Sequence, residues 1–323
     1  MRRRFKSLLF AAALLPLAGL SSMAASAETL LKIGVAQLSA GGLPILVADQ
    51  KGFFAEEGLK YERLDFKGGG PVAQALASGS IDLCICAADH AVHLQDRGLG
   101  GKVLVALAEQ HSYALIGKVD STAKSIADLK GEKIGITTAG SLTDTTVRYA
   151  IRKAGLDPDK DFILLSVGRA GAQKAALQAG AIAGGMFSTP DIQIVMAEKG
   201  AYRIIEDFRK LPYPAQDLIA TDTWLKAHPE EARKVARAVV KALRLIQQDK
   251  TVLYPAIKSL FPEMKDDAMV AQLADDLAAG YLSKDGIMSP ESFNFLMAMM
   301  TIAEPKLKPM PYADIVALSY LPK

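Results

Sequence analysis

Apolar runs of strand length alternate along the chain with longer runs in which apolar residues recur at helical spacing. A strand is predicted where Leu, Ile and Val crowd a short run, and a helix where Pro44 opens a run that ends at Gly58. Strands separated by helices predict parallel α/β sheets. In the first unit the predicted strands are 30–37, 59–66 and 81–87, and the predicted helices are 44–58, 71–79 and 89–98.

A second unit repeats this order after an extended stretch, 101–118, whose length suits a crossing between two lobes. Ser141 and Asp144 form a predicted capping box at the start of one of its helices, and Gly155 ends that helix. The predicted strands of this unit are 132–138, 162–167 and 183–188, its helices are 141–155, 170–180 and 190–200, and the segments 201–208 and 217–222 lead back to the first unit.

The two units echo each other in sequence. Residues 73–89, AQALASGSIDLCICAAD, and residues 174–191, KAALQAGAIAGGMFSTPD, each predict a helix that ends in glycine and a short strand that stops at a polar tip. Ligands of open α/β sheets bind beyond the carboxyl ends of the strands. Two such tips facing each other predict a cleft between two lobes.

Three glycines, 68–70, lie between a predicted strand and a predicted helix. The motif G-x-G-x-x-A at 68–73, followed by Asp89, fits the dinucleotide-binding fingerprint with the aspartate on the ribose. The other interpretation is a tight entry to the helix, in which Pro71 suits the first turn. The motif by itself leaves both interpretations open.

The N-terminus predicts export. Residues 1–6, MRRRFK, are basic, an apolar run follows, and Ala-Ser-Ala at 25–27 is a cleavage site, so 1–27 is predicted to be a signal peptide. The paired arginines leave a twin-arginine signal open. Without this segment the chain has 34 Lys and Arg against 35 Asp and Glu, which offers no basic patch for nucleic acid. No later segment of the sequence has the length and apolarity of a membrane span.

Cys84 and Cys86 are the two cysteines of the chain. Residues two apart on a strand point to the same face, and an extended backbone strains a bridge between such neighbours. The sequence therefore predicts two small buried residues with free thiols.

Four stretches resemble the periplasmic solute-binding proteins of ABC importers, in the nitrate/sulfonate/taurine-type group. They are ILVADQKGFFAEEGL, GGGPVAQALASGSID, GEKIGITTAGSLTDTTVRYAIRKAGLDPDKD and TWLKAHPEEARKVARA, and the likeness continues in order through the chain after residue 27. The resemblance implies an α/β, two-lobed type II periplasmic-binding-protein fold with two hinge crossings, lobe one at 28–113 plus 217–323 and lobe two at 114–216. Ala183 stands where the family commonly carries an acid, so the site beside it is expected to differ in shape.

The resemblance also implies a function. A small solute closes the two lobes, and the closed form docks on an ABC permease served by an ATPase. The protein would then be a periplasmic monomer that binds a solute without catalysis, cofactor, nucleic acid or stable membrane insertion. In this interpretation the glycines at 68–70 serve the turn, since NAD does not accompany an exported protein.

The resemblance places the loop after the first strand and the tip of the third strand in the cleft. Ser39, Ala40, Gly41 and Asp89 are therefore expected to contact the ligand. Asp89 can instead cap the helix that follows it, and the sequence leaves both roles open. Gln216, near the return crossing, is a further candidate.

The start of the helix at 141–155 is the main candidate in the second lobe. Backbone N–H groups lack internal partners there and lie at the positive end of the helix dipole, so Gly140, Ser141, Leu142 and Thr143 are expected to hold a small anion. A plain helix cap formed by Ser141 is the alternative.

Further candidates follow two other strands of the second unit. Arg169 lies in a glycine-flanked loop, where its planar fork suits a carboxylate or sulfonate, although an arginine in such a loop can also face solvent. Ser188, Thr189 and Asp191 end a strand and are expected to reach the cleft. His90 and His93 have a spacing that can bind a metal, but no His-rich loop accompanies them, so no metal is predicted.

The predicted function is that of a receptor for a small organic anion, such as a sulfonate or carboxylate. An enzyme similar to the thiamin pyrimidine precursor synthases and an exported solute sensor are the alternatives. The sequence lacks a cysteine-rich motif of the kind those synthases carry, and it also lacks the G-x-S-x-G pattern of a serine nucleophile.

Overall fold

The computed structural model describes residues 29–323, which form two five-stranded sheets flanked by helices. The predicted signal peptide, 1–27, lies outside the described residues. The strands are β1 (Thr29–Val35), β2 (Leu59–Asp65), β3 (Leu83–Cys86), β4 (Gly101–Gln110), β5 (Tyr113–Lys118), β6 (Lys133–Ile136), β7 (Ile163–Ser166), β8 (Gly184–Ser188), β9 (Tyr202–Asp207) and β10 (Pro212–Thr221).

The two sheets share one topology. The first has the order β2-β1-β3-β10-β4 and the second the order β7-β6-β8-β5-β9. In each sheet one strand runs against its neighbours, β10 in the first and β5 in the second. These are the two strands that enter directly from the other sheet, so their reversed direction follows from the crossing. We call each sheet with its flanking helices a lobe.

The predicted helices are present, with one interruption. The helix predicted over 44–58 is split at Gly52, whose φ of 74° is left-handed and ends the first helix. The helices are α1 (Leu43–Gln50), α2 (Phe53–Glu56), α3 (Gly69–Ala77), α4 (Asp89–Asp96), α5 (Leu142–Lys153), α6 (Ala170–Gln178), α7 (Asp191–Met196), α8 (Asp222–Ala227), α9 (Pro229–Gln248), α10 (Leu253–Leu260), α11 (Asp267–Asp276), α12 (Pro290–Ala303) and α13 (Tyr312–Ile315).

The chain crosses between the sheets at 111–112 and at 208–211. Tyr113, predicted to end lobe one, pairs with Ser188 in the second sheet. Residues 212–216, predicted to close lobe two, are the first residues of β10 in the first sheet. Both crossings therefore come a few residues earlier in the chain than predicted, because β5 and β10 begin at once after the turn.

One apolar core runs through both lobes on the side of α5 and α12. It contains Tyr149 of α5 together with Phe293 and Met299 of α12. The rings of Tyr149 and Phe295 lie edge to face with centroids 6.1 Å apart. Apolar packing thus joins the lobes on this side.

The prediction of free thiols was wrong, because Cys84 and Cys86 form a disulfide within β3. Their side chains leave the same face of the strand, and their Cα atoms are 5.8 Å apart, a separation that disulfides commonly span. Both residues are buried, as predicted.

Candidate ligand site between the two sheets

The carboxyl ends of β1 and β3 face those of β6 and β8 across the interface of the lobes. The Ala40 N–H donates to the Thr189 carbonyl at 3.2 Å, and Gln37 Nε2 donates to Ser188 Oγ at 3.1 Å. These bonds bring the loop after β1 against the tip of β8, whereas the sequence repeat predicts that the tip of β3 faces it.

Ser39 and Gln216 form one polar pair in the first lobe. Both are buried, and Ser39 Oγ donates to Gln216 Oε1 at 3.0 Å. Gly41 permits this approach, because a Cβ added there would lie 2.5 Å from Gln216 Cβ. The amide Nε2 of Gln216 is buried and has no hydrogen-bond partner in the described structure.

Asp89 lies at the first turn of α4, and its side chain makes no capping hydrogen bond to that helix. The capping role is therefore wrong. Instead, the Thr145 hydroxyl of α5 lies 3.3 Å from Asp89 Oδ2 across the interface and 3.3 Å from the Ser141 carbonyl of its own helix, and it can donate to either. Asp89 is fully buried, and its Oδ1 has no hydrogen-bond partner among residues 29–323.

The capping box predicted at α5 is absent. Ser141 Oγ donates to the Thr138 carbonyl at 2.7 Å and also lies within 2.8 Å of Thr143 Oγ1. Asp144 accepts from the Gly140 N–H at 2.8 Å instead of that of Ser141. The buried Thr137 hydroxyl completes the network, which ties the side chains of Ser141 and Thr143 to their own turn.

The N–H groups of this turn are only partly available. The Gly140 N–H donates to Asp144, and the Ser141 N–H donates to the Thr138 carbonyl at 3.3 Å, so two of the four predicted anion donors are engaged locally. Leu142 begins α5 and is buried at the interface. Binding of an anion at this turn therefore remains a prediction for the N–H groups of Leu142 and Thr143.

Arg169 reaches the first lobe, so the solvent-facing alternative is wrong. Its guanidinium donates to the Leu38 carbonyl at 3.2 Å, and its Nε is buried without a partner in the described part of the chain. The charge of Arg169 also acts on Asp191. The Arg169 guanidinium therefore lies at the interface, and its Nε–H is available to donate a hydrogen bond.

Asp191 begins α7, one turn beyond the tip of β8. Ser188 Oγ donates to Asp191 Oδ2 at 3.4 Å. Burial raises the pKa of Asp191 to about 6, with the Arg169 charge and the Ser188 bond opposing the shift and Glu263 adding to it. The Thr189 side chain is buried beside it, while its carbonyl receives the Ala40 N–H.

Tyr113 is a central residue that sequence reasoning missed. Its ring is buried at the start of β5, where the chain enters the second lobe. Burial raises the pKa of its phenol, and Asp89, Arg169 and Asp191 all act on it electrostatically. Tyr113 therefore lies among the charged candidates of both lobes. The signal in the sequence was its place in the crossing segment, where strands of both sheets meet.

Gly68 and Gly70 let the second lobe come close, and Gly69 packs against His90 of its own lobe. A Cβ on Gly68 would lie 2.6 Å from Thr138 Oγ1, and one on Gly69 would lie 1.9 Å from His90 Nε2. Gly70 faces the Ala139 carbonyl, 3.1 Å from its ideal Cβ position. Protein atoms thus occupy the space above these glycines that a pyrophosphate would need, which argues against the dinucleotide interpretation.

His90 and His93 have separate environments. Burial lowers the pKa of His90, so its neutral form is favoured. Burial is the largest influence on His93 and opposes its charge, but the hydrogen bond with Glu304 at 2.8 Å and the charges of Asp89 and Glu304 together outweigh burial and raise the His93 pKa. Among residues 29–323 no group of three or more His, Cys, Asp or Glu side chains is arranged to hold a metal.

A groove of about 870 Å³ opens at the interface beside Asp89. Its volume lies within the range of small-molecule sites. A second cavity, near Ser39 and Arg63, has only about 30 Å³, room for very little more than water. The groove is lined by residues of α3, α4, α5 and the segment after α12, among them His90, Gly140, Thr145, Arg148 and Lys306.

Known proteins are similar to this chain over most of its length. A family model described as NMT1/THI5 like matches residues 41–250. YtlA of Bacillus subtilis (strain 168), provisionally named as a binding protein, is 23% identical over 302 residues, which cover 90% of this chain and 88% of the relative. A 4-amino-5-hydroxymethyl-2-methylpyrimidine phosphate synthase of Uromyces fabae is 25% identical over 265 residues, which cover 78% of this chain and 76% of the relative.

Solved structures share the fold. One from Bordetella bronchiseptica RB50 superposes with a TM-score of 0.80 at 26% identity, covering 91% of this chain and 96% of the other. The alkanesulfonate-binding protein SsuA from Xanthomonas axonopodis pv. citri, bound to MOPS, gives a TM-score of 0.70 at 18% identity, covering 92% and 99%. The predicted α/β periplasmic-binding-protein fold is confirmed. Because the family model spans more than half of the sequence, the chain belongs to the NMT1/THI5-like family.

Proposed function

We propose that this protein is the periplasmic solute-binding component of an ABC importer. It is exported by the leader at 1–27, binds a small solute between its two lobes and delivers it to a permease that an ATPase drives. It acts as a monomer and without catalysis. The relative provisionally named as a binding protein, and solved neighbours such as an alkanesulfonate-binding protein, support this proposal.

One observation carries the proposal. Three of the candidate site residues each have a buried polar atom without a hydrogen-bond partner in the described structure, namely Asp89 Oδ1 and Gln216 Nε2 in the first lobe and Arg169 Nε in the second. Buried polar groups are nearly always paired, because burying one unpaired costs free energy. A solute held between the lobes would supply the missing partners.

The geometry also supports closure as the mechanism. The two lobes are joined by the crossings at 111–112 and 208–211, and apolar packing between α5 and α12 holds one side. Hydrogen bonds also join the lobes, such as that from the Arg169 guanidinium to the Leu38 carbonyl. A solute that touches both lobes binds the closed state better, and this difference in affinity drives closure.

Arg169 supports an anionic group on the solute, as the sequence predicts. Its guanidinium can form a pair of charge-assisted hydrogen bonds with a carboxylate or sulfonate.

Among residues 29–323 no helix is both long and apolar enough to span a bilayer, so the permease would be a separate chain. The proposed first lobe is 29–110 plus 212–323 and the second is 113–207, which moves the predicted divisions to the observed crossings.

Thermal-shift screening of the protein from residue 28 onward against small organic anions tests the proposal. A cognate solute raises the melting temperature because it binds only the folded state. The same solute should reduce the radius of gyration in X-ray scattering, and Arg169→Ala should weaken its binding about 10–100-fold, the worth of a hydrogen bond to a charged group. A solute that binds tightly without any change in the scattering curve would refute closure.

The synthase relative provides a second hypothesis with its own test. If the chain were an enzyme of that kind, the purified protein would form 4-amino-5-hydroxymethyl-2-methylpyrimidine phosphate. Mass spectrometry of the reaction mixture should detect none under our proposal. Detection of this product above that of a boiled sample would replace the receptor with an enzyme.

A further inference from the structure

His111, the first residue of the first crossing, is buried and uses both of its ring nitrogens. It is 0% exposed. The Tyr113 N–H donates to Nδ1 at 3.1 Å, so the proton of the neutral ring lies on Nε2. Nε2 lies 2.9 Å from Thr146 Oγ1 of α5, and in this tautomer it donates to that oxygen. The two bonds together fix the tautomer and the orientation of the imidazole.

Thr146 continues this connection to the beginning of α5. Its hydroxyl donates to the carbonyl of Leu142, the first residue of the helix, at 2.6 Å. The oxygen that accepts from His111 thus directs its own proton to the first turn of α5. A chain of directed hydrogen bonds therefore runs from the crossing to the turn at 140–143, where the sequence predicts that an anion binds.

Burial keeps the His111 ring neutral. It lowers the pKa of His111 to about 3, although the charge of Asp207 and the bond from the Tyr113 N–H oppose this shift. The rings of Tyr113, Phe208 and Tyr213 surround the imidazole, with centroids 5.3 to 5.8 Å from its own. A second proton on the ring would leave the Tyr113 N–H without its acceptor, so the direction of the chain is kept.

The next residue of the crossing is also attached to the second lobe. The Ser112 carbonyl accepts from the Thr189 N–H, beyond the tip of β8, at 3.0 Å. Gln110, on the other side of His111, still belongs to the first sheet, because it pairs with Pro212 of β10. The chain therefore passes from one lobe to the other within the single Gln110–His111 linkage.

The second crossing returns to the first lobe at the same place. The His111 N–H donates to the Leu211 carbonyl at 2.9 Å, and Leu211 directly precedes Pro212, the first residue of β10. Both passages between the lobes thus adjoin one hydrogen bond. Hinges are formed by a few residues that absorb the change in backbone dihedral angles, and these two linkages have that arrangement.

We propose that His111 is the positioning residue that clamps the first crossing to the second lobe. The lobes then bend at the Gln110–His111 and Leu211–Pro212 linkages, and the first turn of α5 moves together with residues 111–112. The clamp limits each crossing to one flexible linkage, so every closure returns the turn at 140–143 to the same place opposite the first lobe. This inference goes beyond the proposed function, because it concerns the joint between the lobes and holds for any solute.

Nuclear magnetic resonance of protein that contains isotope-labelled histidine tests the tautomer. His111 should show a protonated Nε2 and an unprotonated Nδ1, and it should not titrate between about pH 5 and pH 8, because its pKa is about 3. His111→Asn identifies its signal by the loss of that signal. Thr146→Val should shift the Nε2–H resonance, whereas Thr146→Ser, which keeps the hydroxyl, should not. A proton on Nδ1, or a ring that titrates in this range, would overturn the clamp.

Distances between the lobes test the clamp itself. Spin labels are attached at Ala77→Cys and Ala179→Cys, exposed positions at the ends of α3 and α6, and the two native cysteines are bonded to each other and take no label. Thr146→Val should broaden the distribution of distances between the labels, because residues 111–112 then become a flexible part of the hinge. The matched control, Thr146→Ser, should give the width of the unmodified protein.

Hydrogen exchange measures the effect at the helix. Without the bond from His111, the backbone N–H groups at the start of α5 should exchange about 2–10-fold faster, the equilibrium worth of one hydrogen bond. His111→Asn provides this comparison, because asparagine keeps an acceptor close to the backbone for the Tyr113 N–H but does not reach Thr146. Unchanged exchange in this variant would mean that the crossing does not support the first turn of α5.

The variants separate this inference from the receptor proposal. An unchanged width in Thr146→Val, or an equal broadening in Thr146→Ser, refutes the clamp and leaves the receptor proposal standing. If Thr146→Val does not fold, His111→Asn takes its place in the distance measurement. Broadening in Thr146→Val but not in Thr146→Ser supports the clamp even if no solute stabilises the protein, a result that would refute the receptor proposal alone.

Discussion

Two aspartates occupy equivalent places in the two lobes and have different partners. Asp89 begins α4 at the tip of β3, and Asp191 begins α7 at the tip of β8. Among residues 29–323 the hydrogen bond to the Asp89 carboxylate comes from Thr145 of the opposite lobe, whereas Asp191 receives one from Ser188 of its own tip. Arg169, also of the second lobe, further compensates Asp191. At this shared backbone position, the charge of Asp191 is compensated by groups of its own lobe, whereas the carboxylate of Asp89 depends on a donor from the other lobe.

The loops that begin α3 and α6 differ in packing. Gly69, in the first turn of α3, packs directly against the His90 ring, which adjoins Asp89. Gly171, in the first turn of α6, has no neighbouring group within 4 Å of its ideal Cβ position. A methyl group is therefore excluded at position 69 and has room at position 171. An internal repeat preserves the fold of each copy and leaves each free to acquire its own binding chemistry.

The largest expected effect is on packing. A Cβ at position 69 would lie 1.9 Å from His90 Nε2, so Gly69→Ala should destabilise the protein by roughly 1–3 kcal/mol, as overpacked cores do. Gly171→Ala should instead stabilise it by about 0.4–1 kcal/mol, because the helix gains a less flexible residue without a clash. Urea denaturation measures both.

A double variant separates the clash from other causes. Replacing His90 with Ala removes the ring that the new methyl group meets, so Gly69→Ala should cost much less in a His90→Ala background. Equal costs in the two backgrounds, or equal effects at Gly69 and Gly171, would show that the two loops do not differ as described.

The second-largest expected effect is the dependence of protein stability on pH that the Asp191 carboxyl group causes. Its pKa is about 6 in the folded protein, above its ordinary value of 3.8, so protonation favours the folded state. The stability from this group is complete below pH 3.8 and is lost as the pH rises through about 6. Asp191→Asn does not titrate, so its stability relative to the unmodified protein should increase by about 2 kcal/mol between about pH 4.5 and pH 7.5.

Denaturation midpoints at the two pH values measure this difference. The matched control is Asp120→Asn, whose exposed carboxylate should leave the pH dependence unchanged. A pH dependence in Asp191→Asn that equals that of the unmodified protein would mean that burial does not shift this group, and the contrast with Asp89 would lose its electrostatic basis.

Much of the fold could be predicted from the sequence because periodicity reports which faces are buried. The repeat of tips at 73–89 and 174–191 predicted that strand ends from two sheets would meet, and they do. The pattern does not report strand direction or the exact start of a strand at a crossing, so β10 was predicted from 217 although it begins at Pro212. It also could not show the Cys84–Cys86 disulfide, since the general expectation of an extended strand argued against it.

The site was harder to predict because partners across a cleft have no regular spacing in sequence. Asp89 and Thr145 are 56 positions apart, and nothing in the helix pattern of α5 marks Thr145 as a donor to the other lobe. The capping box at Ser141 failed because several hydroxyls crowd one turn and bond one another. Tyr113 was missed because a tyrosine in a strand ordinarily indicates core.

The smallest expected effect compares the single donors to the two aspartates. Thr145→Val keeps the shape of the side chain and removes the hydroxyl that can donate to Asp89 Oδ2 or to the Ser141 carbonyl, which should cost about 1 kcal/mol. Ser188→Ala removes a longer bond, 3.4 Å, from an aspartate that Arg169 still compensates, so its effect through Asp191 should be smaller. In an Asp89→Asn background the cost of Thr145→Val should fall, because the acceptor is no longer charged. Denaturation of the single and double variants gives the coupling energies, and a coupling near zero between positions 89 and 145 would show that Thr145 does not support the carboxylate across the interface.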